Sequence, residues 1–360
     1  MKKIYSQITG TGSYIPLNVV KNKDFLDYTF LESTGEVIDK DNQEIVDKFE
    51  EITTISERRY AEAHQTTSDL ALIAAEKAIE AAGINREDLD YIIMAHNFGD
   101  TKINDTRIDV LPALASRVKA KLGIQNPNAV SYDVLFGCPG WVQAMIQADY
   151  YIRSGDAKKI LVIGADVLSR ISDPHDRDSM IYADGAGAAV VEAVETETPT
   201  GILGHNSRSD AIGYVNLLKM GHSYNPELAE NKDLYLKMNG RRLYQYALEN
   251  VPKTIKAGLD KLNLHITDVK KVLIHQANGK MDDAILARLF KLYNIREIPE
   301  SVMPMTISWL GNSSVATVPT LLDIVVRNQM NDHEVESGDI IVLASVGAGM
   351  NINSIIYKIP

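Results

Sequence analysis

The chain has 360 residues, 45% of them hydrophobic and 24% charged, which suits a globular protein of two domains or one large duplicated one. Its formal net charge of −11 argues against general nucleic-acid binding, because that function needs a basic surface. The sequence has no apolar run long enough for a membrane span and no signal-peptide core, so we expect a cytoplasmic protein with no membrane partner. The single cysteine, Cys138, excludes an intramolecular disulfide and any multi-cysteine zinc site.

Helix-like and strand-like segments alternate along the chain, which predicts a layered α/β fold. Residues 30–43 are polar and rich in Asp, Glu and Gly, and they predict an exposed insertion. Residues 67–82 have the apolar spacing of an amphipathic helix, and residues 90–95 predict a short buried strand. Residues 195–201 form a plausible connection between two halves.

Two pairs of segments repeat along the chain and suggest an internal duplication. Residues 268–274 echo residues 88–94, and residues 338–343 echo the Gly-Asp and apolar run that starts at Gly155. We therefore predict two stacked copies of one α/β unit, residues 1–195 and 196–360. Any two strand–helix units look somewhat alike, so pattern alone leaves the duplication open.

Cys138 lies where a helix is predicted to begin. An apolar run leads into Gly137-Cys138-Pro139, and apolar residues then recur at helical spacing up to Gly155. The positive end of a helix dipole favours a thiolate, and the strand–turn–helix context resembles a nucleophile elbow. The same pattern also fits a cysteine that is only a small buried hydrophobe.

Two further polar residues follow apolar segments at comparable turns. His275 comes directly after a buried strand, and Asn312 follows Gly311 before a helix-like run. Each alone fits a structural role, for the asparagine a turn or a helix N-cap. Together with Cys138 they supply a sulfur nucleophile and two hydrogen-bond donors for a carbonyl oxygen that becomes negative.

The motifs around these residues resemble those of β-ketoacyl-acyl-carrier-protein synthase III, of the thiolase superfamily. The resemblance runs from Thr11 nearly to the C-terminus. Its strongest stretches, in family order, are the Cys138 turn and residues 182–189, 238–241, 275–278, 311–314 and 347–349. Residues 185–187 lack the context of a dinucleotide-binding loop and instead predict close backbone packing. The resemblance implies a thiolase-like duplicated five-layer αβαβα fold, with Cys138 in the first half and His275 and Asn312 in the second.

The resemblance also implies a decarboxylative Claisen condensation. Cys138 would take an acyl group from a thioester, with its own N–H and that of Ala348 as the oxyanion hole. His275 and Asn312 would hold the carbonyl of a malonyl-type thioester, whose decarboxylation gives a carbanion that attacks the acyl-cysteine. No metal and no cofactor is expected, and the implied partners are acyl and malonyl thioesters of acyl-carrier protein or coenzyme A. A homodimer is implied as well.

Several substrate-binding positions depart from the family pattern. Pro139 replaces a small residue, and Trp141 replaces a Phe. Lys48 and Ile52 stand where typical members sandwich the adenine of coenzyme A, although Arg177 matches an arginine of that site. Carrier-protein substrates are therefore favoured over acyl-coenzyme A.

Two more departures concern the edges of the site. Lys280 replaces an arginine at the pocket mouth. Leu111 falls where a partner subunit inserts a residue, often Phe, that closes the acyl pocket. The smaller leucine is predicted to admit longer acyl chains.

Three functions stay open at this point. The first is a fatty-acid-initiating synthase, and the second is a stand-alone relative in secondary metabolism that condenses or transfers larger acyl groups. The third is a non-catalytic scaffold, which the retention of Cys138, His275 and Asn312 disfavours. A degradative thiolase would need a second active-site cysteine, and the flanking motifs fit the chalcone-synthase branch less well.

Overall fold

A computed structural model describes residues 2–228 and 232–360. Its strands are β1 (Lys3–Tyr14), β2 (Asn18–Lys21), β3 (Glu57–Tyr60), β4 (Tyr91–Ala95), β5 (Val130–Val134), β6 (Lys159–Val167), β7 (Asp184–Thr196), β8 (Gly201–Ser209), β9 (Leu218–Gly221), β10 (Tyr235–Met238), β11 (Val269–Ile274), β12 (Ile340–Gly347) and β13 (Asn351–Lys358). Its helices are α1 (Asn42–Thr53), α2 (Thr67–Ala82), α3 (Leu114–Lys121), α4 (Gly140–Ser154), α5 (Gly240–Lys261), α6 (Gly279–Lys291), α7 (Ile307–Leu310) and α8 (Thr317–Val326).

Two mixed sheets share the arrangement of four strands, and the first sheet has β5 in addition. The first has the order β1-β7-β6-β4-β5, in which β4 is parallel to β5 and β6, while β7 is antiparallel to β6 and β1. The second has the order β11-β12-β13-β8, with β11 parallel to β12 and the remaining pairs antiparallel. Thus β4 corresponds to β11 and β6 to β12, the two segment pairs whose sequences echo each other. β7 ends at Thr196 and β8 begins at Gly201, and we keep the division into halves 1–195 and 196–360 as a proposal.

Helices form three layers around the two sheets. α2 and α3 pack on the outer face of the first sheet, and α5 and α6 pack on the outer face of the second. α4 and α8 lie between the sheets in one core that also includes Ile93 of β4 and Leu273 of β11. The layer order is therefore α, β, α, β, α. Because β4 is covered on both faces, its sequence is a continuous apolar run rather than an alternating one.

Local signals place several elements where the sequence predicts them. α2 spans Thr67–Ala82, begins with a capping box between Thr66 and Asp69, and ends at Gly83 in the left-handed conformation. The close packing expected at residues 185–187 is confirmed at Gly187, where a Cβ atom would lie 2.7 Å from Cβ of Pro319 on α8. Across the described ranges, no helix combines the length and apolar character needed to cross a membrane.

Contrary to the expectation from the sequence, residues 30–43 are not exposed throughout, because three apolar residues attach the segment to the body of the protein. Phe30, Leu31 and Ile38 are buried, and Phe30 and Ile38 pack with Phe25 and with residues of α1. The N–H of Leu31 donates to the carbonyl of His175 at 2.8 Å, and α1 already begins at Asn42. Three apolar residues within a polar segment therefore fix it to the body of the protein.

Candidate active site

The candidate residues follow strands whose carboxyl ends lie at one edge of each sheet. Asn97 follows β4 and Cys138 follows β5, two parallel neighbours of the first sheet. His275 follows β11 and Ala348 follows β12, the parallel pair of the second sheet. Carboxyl ends of parallel strands are where α/β folds place ligand sites.

Two glycines bring the backbone of Cys138 against that of Ala348. Gly137 has a φ of +68°, and a Cβ atom there would lie 2.6 Å from the nitrogen of Ala348. A Cβ atom on Gly347 would lie 2.4 Å from the nitrogen of Cys138. Only glycine fits at either position, so the N–H groups of Cys138 and Ala348 are close neighbours. Such a pair can stabilise a negative oxygen on a carbon bonded to the sulfur.

The surroundings of Cys138 oppose the thiolate that the helix start led us to expect. Burial raises the pKa of the thiol to about 11, and the charge of Asp166 acts in the same direction. Opposing them are a hydrogen bond from the Ser314 hydroxyl, 3.5 Å from the sulfur, and the N–H of Cys138 itself. Burial thus outweighs the helix start in its effect on the thiol pKa, although Cys138 keeps some exposed surface in the thiol cavity.

His275 is a buried, neutral imidazole. Burial lowers the pKa of its ring to about 4, and a contact with the backbone of Ser314 acts weakly in the opposite direction. Its side chain is buried, and Nδ1 has no hydrogen-bond partner in the described parts of the chain. A neutral ring donates from one nitrogen and accepts at the other, so His275 can donate to a carbonyl oxygen without adding a charge.

The amide of Asn312 has a fixed orientation. Its Oδ1 accepts the N–H of Ser314 at 2.8 Å, and its backbone bridges Ile181 and Ala183. With Oδ1 engaged in this way, Nδ2 is left as a donor. Ser314 thus contacts Asn312, His275 and Cys138, so the structure brings the three predicted residues into one site.

Two cavities meet at Asn312. The first, which we call the thiol cavity, has a volume of about 180 Å³ and is lined largely by apolar side chains. Its lining includes Asn97, Phe98, Gly137, Cys138, Leu168, Tyr182, Leu218, Met220, Leu236, Asn312, Ser314 and Ala348. The second, which we call the entry cavity, has a volume of about 500 Å³. Its lining includes Lys40, Lys48, Phe49, Ile52, Arg177, Asp178, Met238, Gly240, Arg241, Asn278, Met281 and Asn312.

The entry cavity connects the surface to the buried asparagine. Lys48 is largely exposed at one end and Asn312 is buried at the other, so the entry cavity extends from the surface to a residue that also lines the thiol cavity. Arg177, Lys48 and Ile52 all line this cavity, at the positions suggested by the sequence. Burial raises the pKa of Asp178 to about 7, with the charge of Asp176 adding to the effect, so Asp178 opposes an anionic ligand less than an ordinary carboxylate would.

Two predicted binding residues lie outside both cavities. Lys280, on the first turn of α6, is exposed, and its Nζ lies 3.9 Å from a carboxylate oxygen of Glu51. Leu111 is 85% exposed and does not contact the thiol cavity of its own chain. Trp141 is buried under the first sheet, where its Nε1 donates to the carbonyl of Val162 at 3.3 Å, and so it does not line the thiol cavity.

Sequence reasoning missed three polar residues near the sulfur, namely Asn97, Asp166 and Ser314. Asn97 is the second residue after β4, one position further from its strand than His275 is from β11. Ser314 belongs to the motif at residues 311–314, but only Asn312 was assigned a role there. Asp166 lies inside β6 and carries no signal in the sequence beyond a charge within an apolar strand.

Five alternating layers with a cysteine at a strand-to-helix turn are the architecture of the thiolase-like fold. Residues 132–211 match the family model of 3-oxoacyl-[acyl-carrier-protein (ACP)] synthase III, and residues 259–359 match the model of its C-terminal part. The β-ketoacyl-[acyl-carrier-protein] synthase III 1 of Vibrio parahaemolyticus is 35% identical over 356 residues, which cover 99% of this chain and all of that protein.

Solved structures agree with the sequence comparison. The 3-oxoacyl-[acyl-carrier-protein] synthase III from Aquifex aeolicus has a TM-score of 0.78 and 28% identity, over 98% of this chain and 99% of that one. The priming β-ketosynthase from the R1128 polyketide biosynthetic pathway has a TM-score of 0.81 and 26% identity. The match covers 100% of this chain and 97% of that one. The chain therefore belongs to the β-ketoacyl-acyl-carrier-protein synthase III family of acyltransferases. The expected thiolase-like five-layer fold is confirmed.

Proposed function

We propose that the chain catalyses the decarboxylative Claisen condensation of a cysteine-bound acyl group with a malonyl-type thioester, giving a 3-ketoacyl thioester. The observation that carries this proposal is the meeting of two cavities at Asn312. One holds the Cys138 sulfur among apolar side chains, and the other has a volume of about 500 Å³ and extends from the exposed Lys48 to Asn312, which supports the entry of a thioester by this route.

In the first half-reaction, the Cys138 sulfur attacks the carbonyl carbon of an acyl thioester. Since burial raises the pKa of the Cys138 thiol, its proton leaves as the carbon–sulfur bond forms, and the departing carrier sulfur takes up a proton directly or through solvent. The N–H groups of Cys138 and Ala348 stabilise the oxyanion, which collapses to acyl-Cys138 and releases the carrier thiol. The apolar lining of the thiol cavity then surrounds the acyl chain.

In the second half-reaction, the malonyl-type thioester occupies the entry cavity with its thioester carbonyl between His275 and Asn312. The bond to the terminal carboxylate breaks, carbon dioxide leaves, and the electron pair forms an enolate whose oxygen both side chains stabilise. The enolate carbon attacks the acyl carbon, and the Cys138 sulfur leaves and regains a proton. The low pKa of His275 suits this step, since a neutral donor does not hold the extender carboxylate in place as an ion pair would.

The substrate donor is proposed to be an acyl-carrier-protein thioester rather than acyl-coenzyme A. Arg177 and Lys48 offer positive charge along the entry cavity, and Ile52 offers only aliphatic surface. Lys280 lies near the mouth beside Glu51, where it would contact an acidic carrier only after leaving that ion pair. We place the reaction in the cytoplasm, in keeping with the single free cysteine.

A symmetric homodimer is the proposed active form. Leu111, Val110 and Ile108 expose apolar side chains on one loop, and β5 is an edge strand of the first sheet with Val130 exposed. A second copy would cover these groups and could insert its Leu111 into the neighbour's thiol cavity. Light scattering that finds a fully active monomer would contradict this assembly.

The test is a substrate panel with acyl-coenzyme A and acyl-carrier-protein primers of increasing length, each with malonyl-carrier protein as extender. The proposal predicts a 3-ketoacyl product two carbons longer than the primer, loss of carbon dioxide, and a preference for carrier-protein primers. Cys138→Ser should give no product, and Ser313→Ala is the matched control. A panel without any condensed product would refute the proposal.

The second candidate is a stand-alone enzyme of secondary metabolism that condenses or transfers larger acyl groups. It is favoured by the likeness over the full chain to a priming β-ketosynthase of a polyketide pathway. The same panel separates the two, because this candidate predicts long or branched primers as the preferred substrates, or acyl transfer without carbon dioxide release.

A further inference from the structure

A continuous chain of hydrogen bonds leads from a buried carboxylate to the sulfur of Cys138. The carboxylate of Asp166 accepts both the backbone N–H and the Nδ2 group of Asn97, each at 2.8 Å. Nδ2 of Asn97 also donates to Oγ of Ser314 at 3.0 Å. Oγ of Ser314 lies 3.5 Å from Sγ of Cys138. Asp166 has no exposed surface and Ser314 is buried, whereas Asn97 and Cys138 are partly buried and line the thiol cavity.

The donors in this chain can be assigned from chemistry alone. An amide nitrogen has two hydrogens and no acceptor capacity, so Nδ2 of Asn97 donates one to Asp166 and the other to Ser314. Oγ of Ser314 therefore acts as an acceptor toward Asn97, and its own hydrogen is free for another partner. Sγ of Cys138 lies 3.5 Å from Oγ and can accept this hydrogen. Burial raises the pKa of Asp166, and a hydrogen bond from the Ser314 side chain opposes that shift, so the carboxylate is a second acceptor for the same hydroxyl. A sulfur that becomes negative competes for the hydroxyl hydrogen better than a neutral thiol does.

The backbone of Ser314 is held in a conformation that serine rarely adopts. Its φ is +54°, in the left-handed region that favours glycine. The conformation aims its N–H at Oδ1 of Asn312, at 2.8 Å, and brings its backbone to the His275 ring. A strained residue that contacts every member of a site is a functional candidate, since the surroundings must hold it in place.

We propose that Ser314, oriented by Asn97 and Asp166, is a positioning residue that aims a hydrogen bond at the Cys138 sulfur and stabilises it whenever it carries negative charge. The proposal deepens the proposed function and rests on it, because the sulfur becomes negative as it attacks and again as it leaves. Asp166 does not itself ionise the thiol. Its negative charge opposes that ionisation, and its contribution is to fix the amide of Asn97.

The test measures the rate at which iodoacetamide alkylates Cys138 as a function of pH, a readout that needs no substrate. Ser314→Ala removes the hydroxyl. Ser314→Gly also removes it and suits the positive φ, so this variant should fold even if the alanine variant does not. Ser313→Ala is the matched control, because the Ser313 hydroxyl lies 3.4 Å from that of Thr317 and does not belong to the hydrogen bonds that join Asp166 to Cys138.

Loss of a hydrogen bond to a charged group should raise the thiol pKa by about one unit or more, and so slow alkylation about tenfold at about pH 8. Both Ser314 variants should show this loss, and Ser313→Ala should match wild type. Asn97→Ala should slow alkylation in the same direction, and adding it to Ser314→Ala should have little further effect, since both act through one hydroxyl.

Unchanged alkylation in the two Ser314 variants would overturn the proposal. So would a loss in Ser314→Ala that Ser314→Gly does not share, or an equal loss in Ser313→Ala, because the hydroxyl would then not be the cause. The outcome is independent of the condensation. If the variants shift alkylation but wild type condenses no substrate, the positioning role stands and the proposed function fails. If wild type condenses and alkylation does not shift, the function stands and the positioning role fails.

Discussion

Replacement of Gly347 by alanine should disable acylation through one added methyl group. The φ of Gly347 is −168°, extended backbone that any residue adopts, so the effect is purely steric. The new Cβ would lie 2.4 Å from the nitrogen of Cys138 and 2.7 Å from Cδ of Pro139. The shorter distance is about 1 Å inside ordinary van der Waals contact, and neither atom can rotate away. The N–H of Cys138 must therefore move.

A displacement of that size exceeds the tolerance of an oxyanion donor, whose nitrogen must lie about 2.7–3.1 Å from the oxygen. Gly347→Ala should therefore slow acylation of Cys138 about 10²–10³-fold and lower the free energy of unfolding by about 1–3 kcal/mol. Rapid-quench intact-protein mass spectrometry measures the first quantity and denaturant unfolding the second.

Gly258→Ala is the control for this experiment. A Cβ atom at Gly258, within α5, would meet Oγ of Ser354 at 3.3 Å, and that hydroxyl can rotate. The variant should acylate at the wild-type rate. A folded Gly347→Ala protein that acylates as fast as wild type would refute the oxyanion geometry proposed for Cys138 and Ala348.

Three further predictions concern the residues around the sulfur. His275→Ala and Asn312→Ala should each slow condensation, measured by product formation, about 10²–10³-fold, and should change the acylation of Cys138, measured by acyl-enzyme mass, far less. Equal losses in both steps would contradict separate roles for the two steps. Burial lowers the pKa of His275 from 6.5 to about 4, so the free energy of unfolding of the wild type should fall by up to about 3 kcal/mol as the pH falls through that range. Urea titrations across the range should show a smaller fall for His275→Gln. Leu111→Phe should shift substrate preference toward shorter acyl chains, with about 1–3 kcal/mol of discrimination for one methylene group. An unchanged chain-length profile in a stably folded variant would refute the proposal that Leu111 lines the acyl pocket.

The sequence predicts those parts of the fold that depend on local periodicity. The helix at residues 67–82 and the strands near residues 90 and 269 are read directly from their apolar spacing, because each is buried on a defined face. The segment at residues 30–43 is misjudged as wholly exposed, since its composition is polar. Only tertiary contacts reveal that Phe30 and Ile38 are buried.

The site divides in the same way. Cys138 and His275 are found from turns after strands and from family motifs. Asn312 is found from its motif, because the apolar segment before it is the short helix α7 and not a strand. The ionisation of Cys138 is not predicted from the sequence. A helix start favours a thiolate, but burial, which no local pattern encodes, has the larger effect on the thiol pKa. The role proposed for Ser314 likewise depends on Asn97 and Asp166, which are distant in sequence and meet only because β4 and β6 are adjacent.

The most direct test of the account is a chase of the acylated enzyme. Wild type is first incubated with an acyl thioester, and peptide mass spectrometry locates the adduct. Malonyl-carrier protein is then added, and the acyl-enzyme, the 3-ketoacyl product and carbon dioxide are followed together. The account predicts one acyl group on Cys138, lost at the rate at which product and carbon dioxide appear. An adduct on another residue, or one that persists while product forms, would contradict it.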